Sequence, residues 1–296
     1  MKISDASSVK KIEKTVSYLN MIDLHTHTSH SDGGVSTVEL LLKAKECGIK
    51  TISITDHDAV SALDEAEAIA SDFGINFVPG IEITSSYKRY QLHFLGYFFD
   101  YTDKNFVSRL RELQDARVVR AKKIIEKLNG IKIPLKFESV LGKPGTQNSI
   151  GRPHIANTMV EEGFAETYDE VFQKYIGIGK PAYEANYPFP PEEAIKMISQ
   201  AGGLSFIAHP SHYLNEEMLS RLVKLGLDGV EVIHPSHSNE ETEYYKKFAD
   251  ENSLLKCGGS DFHGGLKNDG ANLGKYFIDQ LSFEQMLEKI GKKILE

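Results

Sequence analysis

The chain has 296 residues, 41% hydrophobic and 26% charged, enough for one α/β barrel or two smaller domains. Its formal net charge of −8 argues against the broad basic surface that duplex DNA requires, so an anionic substrate must be met by local features, metal ions being the strongest. No stretch reaches the roughly 20 apolar residues that span a bilayer, and Cys47 and Cys257 lie far apart at no metal spacing, as reduced thiols of a cytoplasmic protein would.

Residues 1–20 lack the apolar core and cleavage site of a signal peptide. Ile12, Val16 and Leu19 would line one weakly amphipathic helix, and the segment reads as an appendage to a domain starting at Met21. Ile22–His25 reads as a strand whose alternation puts His25 and His27 on one face, with Asp32 returning from the adjoining loop. Ser36 and Glu39 form a capping box opening a helix over Thr37–Cys47, which Gly48 closes. Thr51–Thr55 is a β-branched strand ending in Asp56-His57-Asp58, where Asp56 is the better candidate to orient His57. An Ala-rich helix follows to about Phe73, closed by Gly74. Asn76–Val78 and Ile81–Ser85 are strand-like, the second pairing with Gln91–Phe99 across a turn at Lys88-Arg89.

Between Asp100 and Ala185 the alternation stops. Lys104–Leu128 is a long charged helix with apolar Phe106, Leu110, Leu113, Val118, Ile124 and Leu128, its charges most simply a solvated face. Shorter helices are expected near His154–Glu162 and Thr167–Tyr175. The pattern then resumes: Pro190-Pro191 opens a helix to Ala201, and strands over Leu204–Ala208, Gly229–Ile233 and Leu254–Cys257 end in His209-Pro210, His234 and Gly258-Gly259-Ser260-Asp261. Repeated β–helix–β units imply a parallel sheet or barrel, whose functional groups gather at strand ends. The expected layout is a barrel of residues 21–100 and 186–296, interrupted by a helical insertion over 101–185 that overhangs its mouth as a specificity lid.

Asp23-Leu24-His25-Thr26-His27, Ile54-Thr55-Asp56-His57-Asp58, Gly80-Ile81-Glu82, His93-Phe94-Leu95-Gly96, Ala208-His209-Pro210 and Gly259-Ser260-Asp261-Phe262-His263-Gly264 resemble the motifs of the PHP (polymerase and histidinol phosphatase) domain family, in the family's order. The resemblance covers about residues 21–285. Within the family the chain is similar to stand-alone metal-dependent phosphoesterases of nucleoside 3′,5′-bisphosphates and RNA 5′ ends, whose helical insertion carries a Gly-Arg-Pro-His segment, here Gly151-Arg152-Pro153-His154. The resemblance implies an α/β fold, a distorted (β/α)7 barrel, with a trinuclear site. Its ligands would be His25, His27, Asp32, His57, Glu82, His93, His209, Asp261 and His263. By the same resemblance His25, His27, Glu82 and Asp261 would hold one ion, and Glu82 would bridge to a second held also by His93 and His209. Asp32, His57 and His263 would serve the third.

Six histidines and three carboxylates without a thiolate suit two to three Mn, Fe or Zn ions. Such ions would bind a phosphoryl group and generate the attacking hydroxide, since no serine or cysteine nucleophile with a partnered base is evident. Asp32 and His57 are the expected catalytic residues, together with His237, which would line the mouth and protonate the leaving oxygen. Arg152 would clamp a substrate phosphate, helped by His154 at a helix start and by Lys180. His30 and His212 read as exposed, and His234 has no assigned role. The expected partner is a small nucleotide or a short RNA 5′ end, with no membrane and no obligate protein partner. Histidinol-phosphate phosphatase and a non-catalytic or proofreading module serving a polymerase are the competing readings.

Overall fold

The computed structural model describes residues 21–295 apart from 89, 144, 212 and 213. The expected N-terminal appendage, His212 and the Arg89 half of the expected turn therefore lie outside the described residues. Seven strands lie side by side in chain order: β1 (Met21–Asp23), β2 (Ile49–Ile54), β3 (Asn76–Tyr87), β4 (Tyr90–Tyr97), β5 (Leu204–Ile207), β6 (Gly229–Ile233) and β7 (Leu255–Gly258). The sheet closes on itself just beyond β1 and β7. There Leu24 N donates to Gly258 O at 3.1 Å, Asp261 N to His25 O at 2.8 Å and His27 N to Phe262 O at 2.9 Å. This is the expected distorted seven-stranded barrel.

Neighbouring strands are parallel except on both sides of β4. Only two residues separate β3 from β4, too few for the crossover that a parallel pair needs. The reversal matters for the site. Parallel strands bring their C-terminal ends to the barrel mouth, whereas β4 brings its beginning there, and His93 lies near that beginning. The two expected segments Asn76–Val78 and Ile81–Ser85 are one strand. Pro79 and Gly80, which suggest a break, mark where β3 changes partner: Asn76–Pro79 pairs with β2 and Gly80–Tyr87 with β4.

The helices α1 (Thr37–Glu46), α2 (Leu63–Ile69), α8 (Pro191–Gln200), α9 (Glu216–Lys224), α10 (Asn239–Glu251) and α11 (Gln280–Leu295) belong to the barrel. The capping box of Ser36 and Glu39 is present, and Gly48 and Gly74 both take a left-handed φ after the first two helical segments. The last three helices carry no signal used above; α9 and α10 supply the crossovers that the parallel β5–β6 and β6–β7 pairs require. Ile22, Leu24, Leu95, Tyr97, Phe206 and Cys257 share one buried cluster with Met286 and Ile290 of α11. Outward residues of alternate register, such as Ile81, Ile83, Leu92 and Phe94, join the larger cluster with the surrounding helices.

α3 (Lys104–Gly130) has 27 residues and spans about 40 Å. Its first half packs Phe106, Leu110 and Leu113 into the barrel's cluster, and its second half packs Ala121, Ile124 and Leu128 into a separate one. That second core also takes residues from α4 (Phe137–Leu141), α6 (Arg152–Glu161) and α7 (Tyr168–Val171), which runs into a π-helical turn over Phe172–Ile176; α5 (Thr146–Ser149) lies between α4 and α6 in the chain. The interrupting segment thus has its own small core, tied to the barrel by one continuous helix. Among the described residues no helix is long and apolar enough to cross a membrane.

Candidate metal centre

Strand alternation sends Glu82 of β3 inward while Ile81 and Ile83 pack outward, and it does the same for His93 between Leu92 and Phe94. The other candidate ligands follow strand ends. Two of them sit on strained backbone, His209 at φ 27° and Asp261 at φ 48°, in the left-handed region that non-glycine residues rarely adopt. Gly259 allows the β7 end to pass against β1, because a Cβ there would collide with His25 N and lie 2.5 Å from Asp23 Oδ1.

These residues converge. His25, His27, Glu82 and Asp261 offer ligand atoms within one group, as do His27, Asp32, His57 and His263, and as do His57, Glu82 and His93. Glu82 stands at the junction. Its Oε2 is 3.3 Å from His25 Nε2, 3.2 Å from His27 Nε2 and 3.1 Å from His57 Nδ1, while its Oε1 faces His93 Nδ1 at 2.7 Å and His209 Nε2 at 2.9 Å. Asp32 lies 3.4 Å from His263 Nε2 and 3.9 Å from His57 Nε2. Arranged this way, the two oxygens of one buried carboxylate face two neighbouring positions.

The donor set fits a cation. His27 Nε2 and His57 Nδ1 are buried without an aligned hydrogen bond, although Glu82 stands within 3.2 Å of each. Burial opposes charge on Glu82, Asp32 and Asp261, yet histidines around all three, and Lys267 beside Asp32, hold them well below the usual carboxylate range. Burial keeps His57, His93 and His263 on the neutral side. It opposes charge on His27 too, but Asp261 and Glu82 push that pKa up to about 9. The neighbouring carboxylates raise the His25 and His209 pKa values too, so ionised carboxylates stand beside three neutral rings and three that must release a proton before Mn²⁺, Fe²⁺ or Zn²⁺ binds them.

Several contributors carry no assignment in the sequence reading. Glu231, fully buried, accepts from His25 Nδ1 at 2.8 Å and from His209 N at 2.5 Å, so one carboxylate orients two candidate ligands. Ser236 N donates to His234 Nδ1, which leaves the His234 Nε2 hydrogen facing Asp261 Oδ2 at 3.3 Å. Gln91 sits 2.6 Å from His93 Nε2 and accepts from Arg152 at 3.1 Å. Lys267 Nζ is 2.9 Å from Asp32 Oδ2 and 2.7 Å from His263 Nε2. Only Glu231 was signalled, as a charge at an inward position of the apolar β6.

A cavity of about 190 Å³ opens from Asp32, His57 and His93 toward the insertion. Arg117, Arg120, Arg152 and Lys267 line its other walls. Arg117 and Arg120 therefore correct the reading of the α3 charges as a solvated face. They continue the apolar stripe of Leu113 and Ile124, so they point where that stripe points. Burial, with Arg152 and Arg117 nearby, pulls the Arg120 pKa down to about 9. Among the described residues neither Arg120 nor Arg152 has a carboxylate within ion-pair distance; Arg120 Nε donates to Glu184 O and Arg152 lies over the Phe172 ring.

The remaining candidates are placed differently. His154 lines the cavity, but its Nδ1 accepts from Gly151 N at 3.1 Å and its Nε2 donates to Ser31 O at 2.9 Å, so its ring nitrogens join the insertion to the Asp32 loop. Lys180 is exposed and lies outside the cavity lining. His237 faces Val232 O at 3.3 Å and Pro210 O at 3.0 Å, packs its ring at a tilt against Tyr245, and is held below its usual pKa by burial. That geometry does not offer a proton to the cavity. Asp56 braces the first loop through Thr28 N, Thr28 Oγ1 and Ser31 Oγ, with no direct bond to His57. His30, expected as exposed, is half-buried with Nδ1 2.9 Å from Ser61 Oγ.

A closed seven-stranded barrel with a histidine–carboxylate cluster at its mouth is the architecture of a metal-dependent hydrolase, and the model of the PHP domain matches residues 23–186. The chain belongs to the PHP domain family. It is 32% identical over 247 residues to a 3′,5′-nucleoside bisphosphate phosphatase of Chromobacterium violaceum, covering 82% of this chain and 87% of that one. It is 33% identical over 255 residues to the 5′-3′ exoribonuclease Rnm of Escherichia coli, covering 83% and 86%. A solved Bifidobacterium adolescentis chain described as a metal-dependent phosphoesterase superposes with a TM-score of 0.82 at 30% identity, over 90% of this chain and 94% of that one.

Proposed function

We propose that this enzyme removes phosphate from small nucleotides bearing two phosphates, nucleoside 3′,5′-bisphosphates foremost, and trims the 5′ end of short RNA by the same geometry. The observation that carries the reading is the half-buried arginine cluster beside the metal centre. Arg117, Arg120 and Arg152 line one cavity together with His57, His93 and Asp32; Arg117 is paired with Asp58 and Lys267 with Asp32, whereas Arg120 and Arg152 face no carboxylate among the described residues. Like charges gathered away from water are costly unless an anion sits among them, and the depressed Arg120 pKa records that cost. One phosphate placed at the histidines leaves the other for the arginines. The names of the two relatives, a bisphosphate phosphatase and an exoribonuclease acting from the 5′ end, supply the substrate class that this spacing suits.

The nine residues His25, His27, Asp32, His57, Glu82, His93, His209, Asp261 and His263 would hold two to three Mn, Fe or Zn ions. When bound, such ions supply charge to the phosphoryl oxygens and lower the pKa of water. The protein's own groups do the rest. Glu231 fixes the His25 ring, and Gln91 links Arg152 to His93. Arg120 and Arg152 would grip the second phosphate and thereby orient the first. The insertion acts as the lid that sets specificity, since α3 and α6 supply every arginine of the cavity.

The test compares kcat/KM for adenosine 3′,5′-bisphosphate, AMP, histidinol phosphate and a short 5′-phosphorylated RNA with Mn²⁺ in excess. The bisphosphate is expected to be cleaved far better than AMP, giving AMP by loss of its 3′-phosphate. Preference for AMP or histidinol phosphate would overturn the two-phosphate reading.

A further inference from the structure

The residue after His57 is built into two parts of the molecule at once. Asp58 is buried and takes a left-handed φ of 46°, a conformation that an aspartate keeps only where its surroundings hold it. Every polar group of Asp58 is engaged. Its N donates to Glu82 O at 2.9 Å, and its Oδ1 accepts from Thr84 N at 2.8 Å, which fixes it to β3. From the insertion, Arg117 Nε donates to its Oδ2 at 2.6 Å and Gln114 Nε2 to its carbonyl at 2.9 Å. Arg117 then reaches Thr84 Oγ1 at 2.6 Å, so one guanidinium spans α3, the His57 loop and β3.

The loop bearing Asp32 is gripped from the same side. His154 Nε2 donates to Ser31 O, and Gly145 passes so close that a Cβ there would overlap Ser31 O. Asp32, His57 and His263 form one of the candidate metal positions, and the insertion holds the loops of the first two. His25, Glu82, His209 and Asp261 are braced differently, by the barrel strands and Glu231.

We propose that Arg117 and Gln114, acting through Asp58, form a latch that makes the Asp32–His57–His263 metal position depend on the insertion. They are positioning residues for that ion. Arg117 also lines the anion cavity, so one guanidinium belongs both to that cavity's wall and to the support of the His57 loop. The inference rests on reading those three residues as metal ligands.

Metal retention tests it independently of turnover. Apoprotein is loaded with Mn²⁺, desalted and assayed for bound equivalents, and the Mn²⁺ affinity is measured by titration. His57→Ala serves as the reference that lacks a ligand. Arg117→Gln removes a positive charge, so electrostatics alone would tighten Mn²⁺ binding, whereas the latch requires one position to weaken by tenfold or more. Arg120→Gln removes a neighbouring charge without touching Asp58 and is expected to retain wild-type equivalents. Gln114→Ala changes no charge and is expected to weaken the same position several-fold even if Arg117→Gln fails to fold. Unchanged or tighter Mn²⁺ binding in folded Arg117→Gln and in Gln114→Ala, with His57→Ala one equivalent short, overturns the latch alone. Equal retention by wild type and His57→Ala overturns the ligand reading and the latch with it.

Discussion

Replacing Arg120 by methionine is expected to stabilise the apoprotein while weakening its hold on substrate. The guanidinium is drawn from its ordinary value to about 9 by burial and by Arg152 and Arg117. At 1.36 kcal/mol per tenfold, that depression is on the order of 5 kcal/mol of unfavourable charge burial, an upper bound. The substitution also loses the hydrogen bond to Glu184 O, about 1 kcal/mol, and leaves that carbonyl short of a donor, about 1–3 kcal/mol. A net gain of at most about 1–3 kcal/mol remains, which in a domain of this size raises the unfolding midpoint by up to a few degrees. Binding moves the other way: a charge-assisted contact to phosphate contributes about 1.5–3 kcal/mol, so KM for adenosine 3′,5′-bisphosphate should rise roughly 10- to 150-fold. KM for a small aryl phosphate, which has no second phosphate, should barely change. Thermal unfolding of the metal-free protein and steady-state kinetics of the loaded enzyme read the two effects. A lower midpoint together with an unchanged KM for the bisphosphate would make Arg120 a satisfied structural residue and remove it from phosphate binding.

Asp261→Ala or Glu82→Ala should abolish phosphate release while circular dichroism shows the barrel intact; near-normal release by Mn²⁺-saturated Asp261→Ala would remove the metal centre from the chemistry. Because Asp261 and Glu82 raise the His27 pKa to about 9, that ring carries a proton at neutral pH, and a bound ion must displace it. Metal affinity should therefore climb by about tenfold per pH unit for each such proton between roughly pH 6 and 8, with proton release in calorimetry across buffers of different ionisation heat. A pH-independent affinity would contradict the protonated apo ring. His237→Asn should leave kcat within about threefold, because the His237 ring faces two backbone carbonyls, and should cost only about 1–2 kcal/mol of stability; a kcat loss of a hundredfold would restore His237 as the acid for the leaving oxygen.

The alternation of strands and helices and the strand-end positions of the ligands were legible in the residues, whereas the closed barrel was implied by the family resemblance. Two histidines at i and i+2 can only share a face on extended backbone, and the strands bearing Glu82, His93 and His209 announce themselves by β-branched and aromatic runs. Glu231 was legible too, as a charge among the valines of β6. The arginine wall was half legible: Arg117 and Arg120 interrupt the apolar stripe of α3 between Leu113 and Ile124, a spacing that places them inward, but charges on a long helix ordinarily face water. Tertiary structure alone decided the rest. Gln91 meets Arg152, Lys267 meets Asp32, and Asp58 meets Thr84 and Arg117 across 26 to 235 residues of sequence, and no local pattern encodes which distant donor will meet a given acceptor. His154 and His237 show the converse. Each has the residue type and the strand-end or helix-start position of a functional histidine, yet His154 donates to Ser31 O and the His237 ring faces Pro210 O and Val232 O, carbonyls that only the folded chain brings within reach.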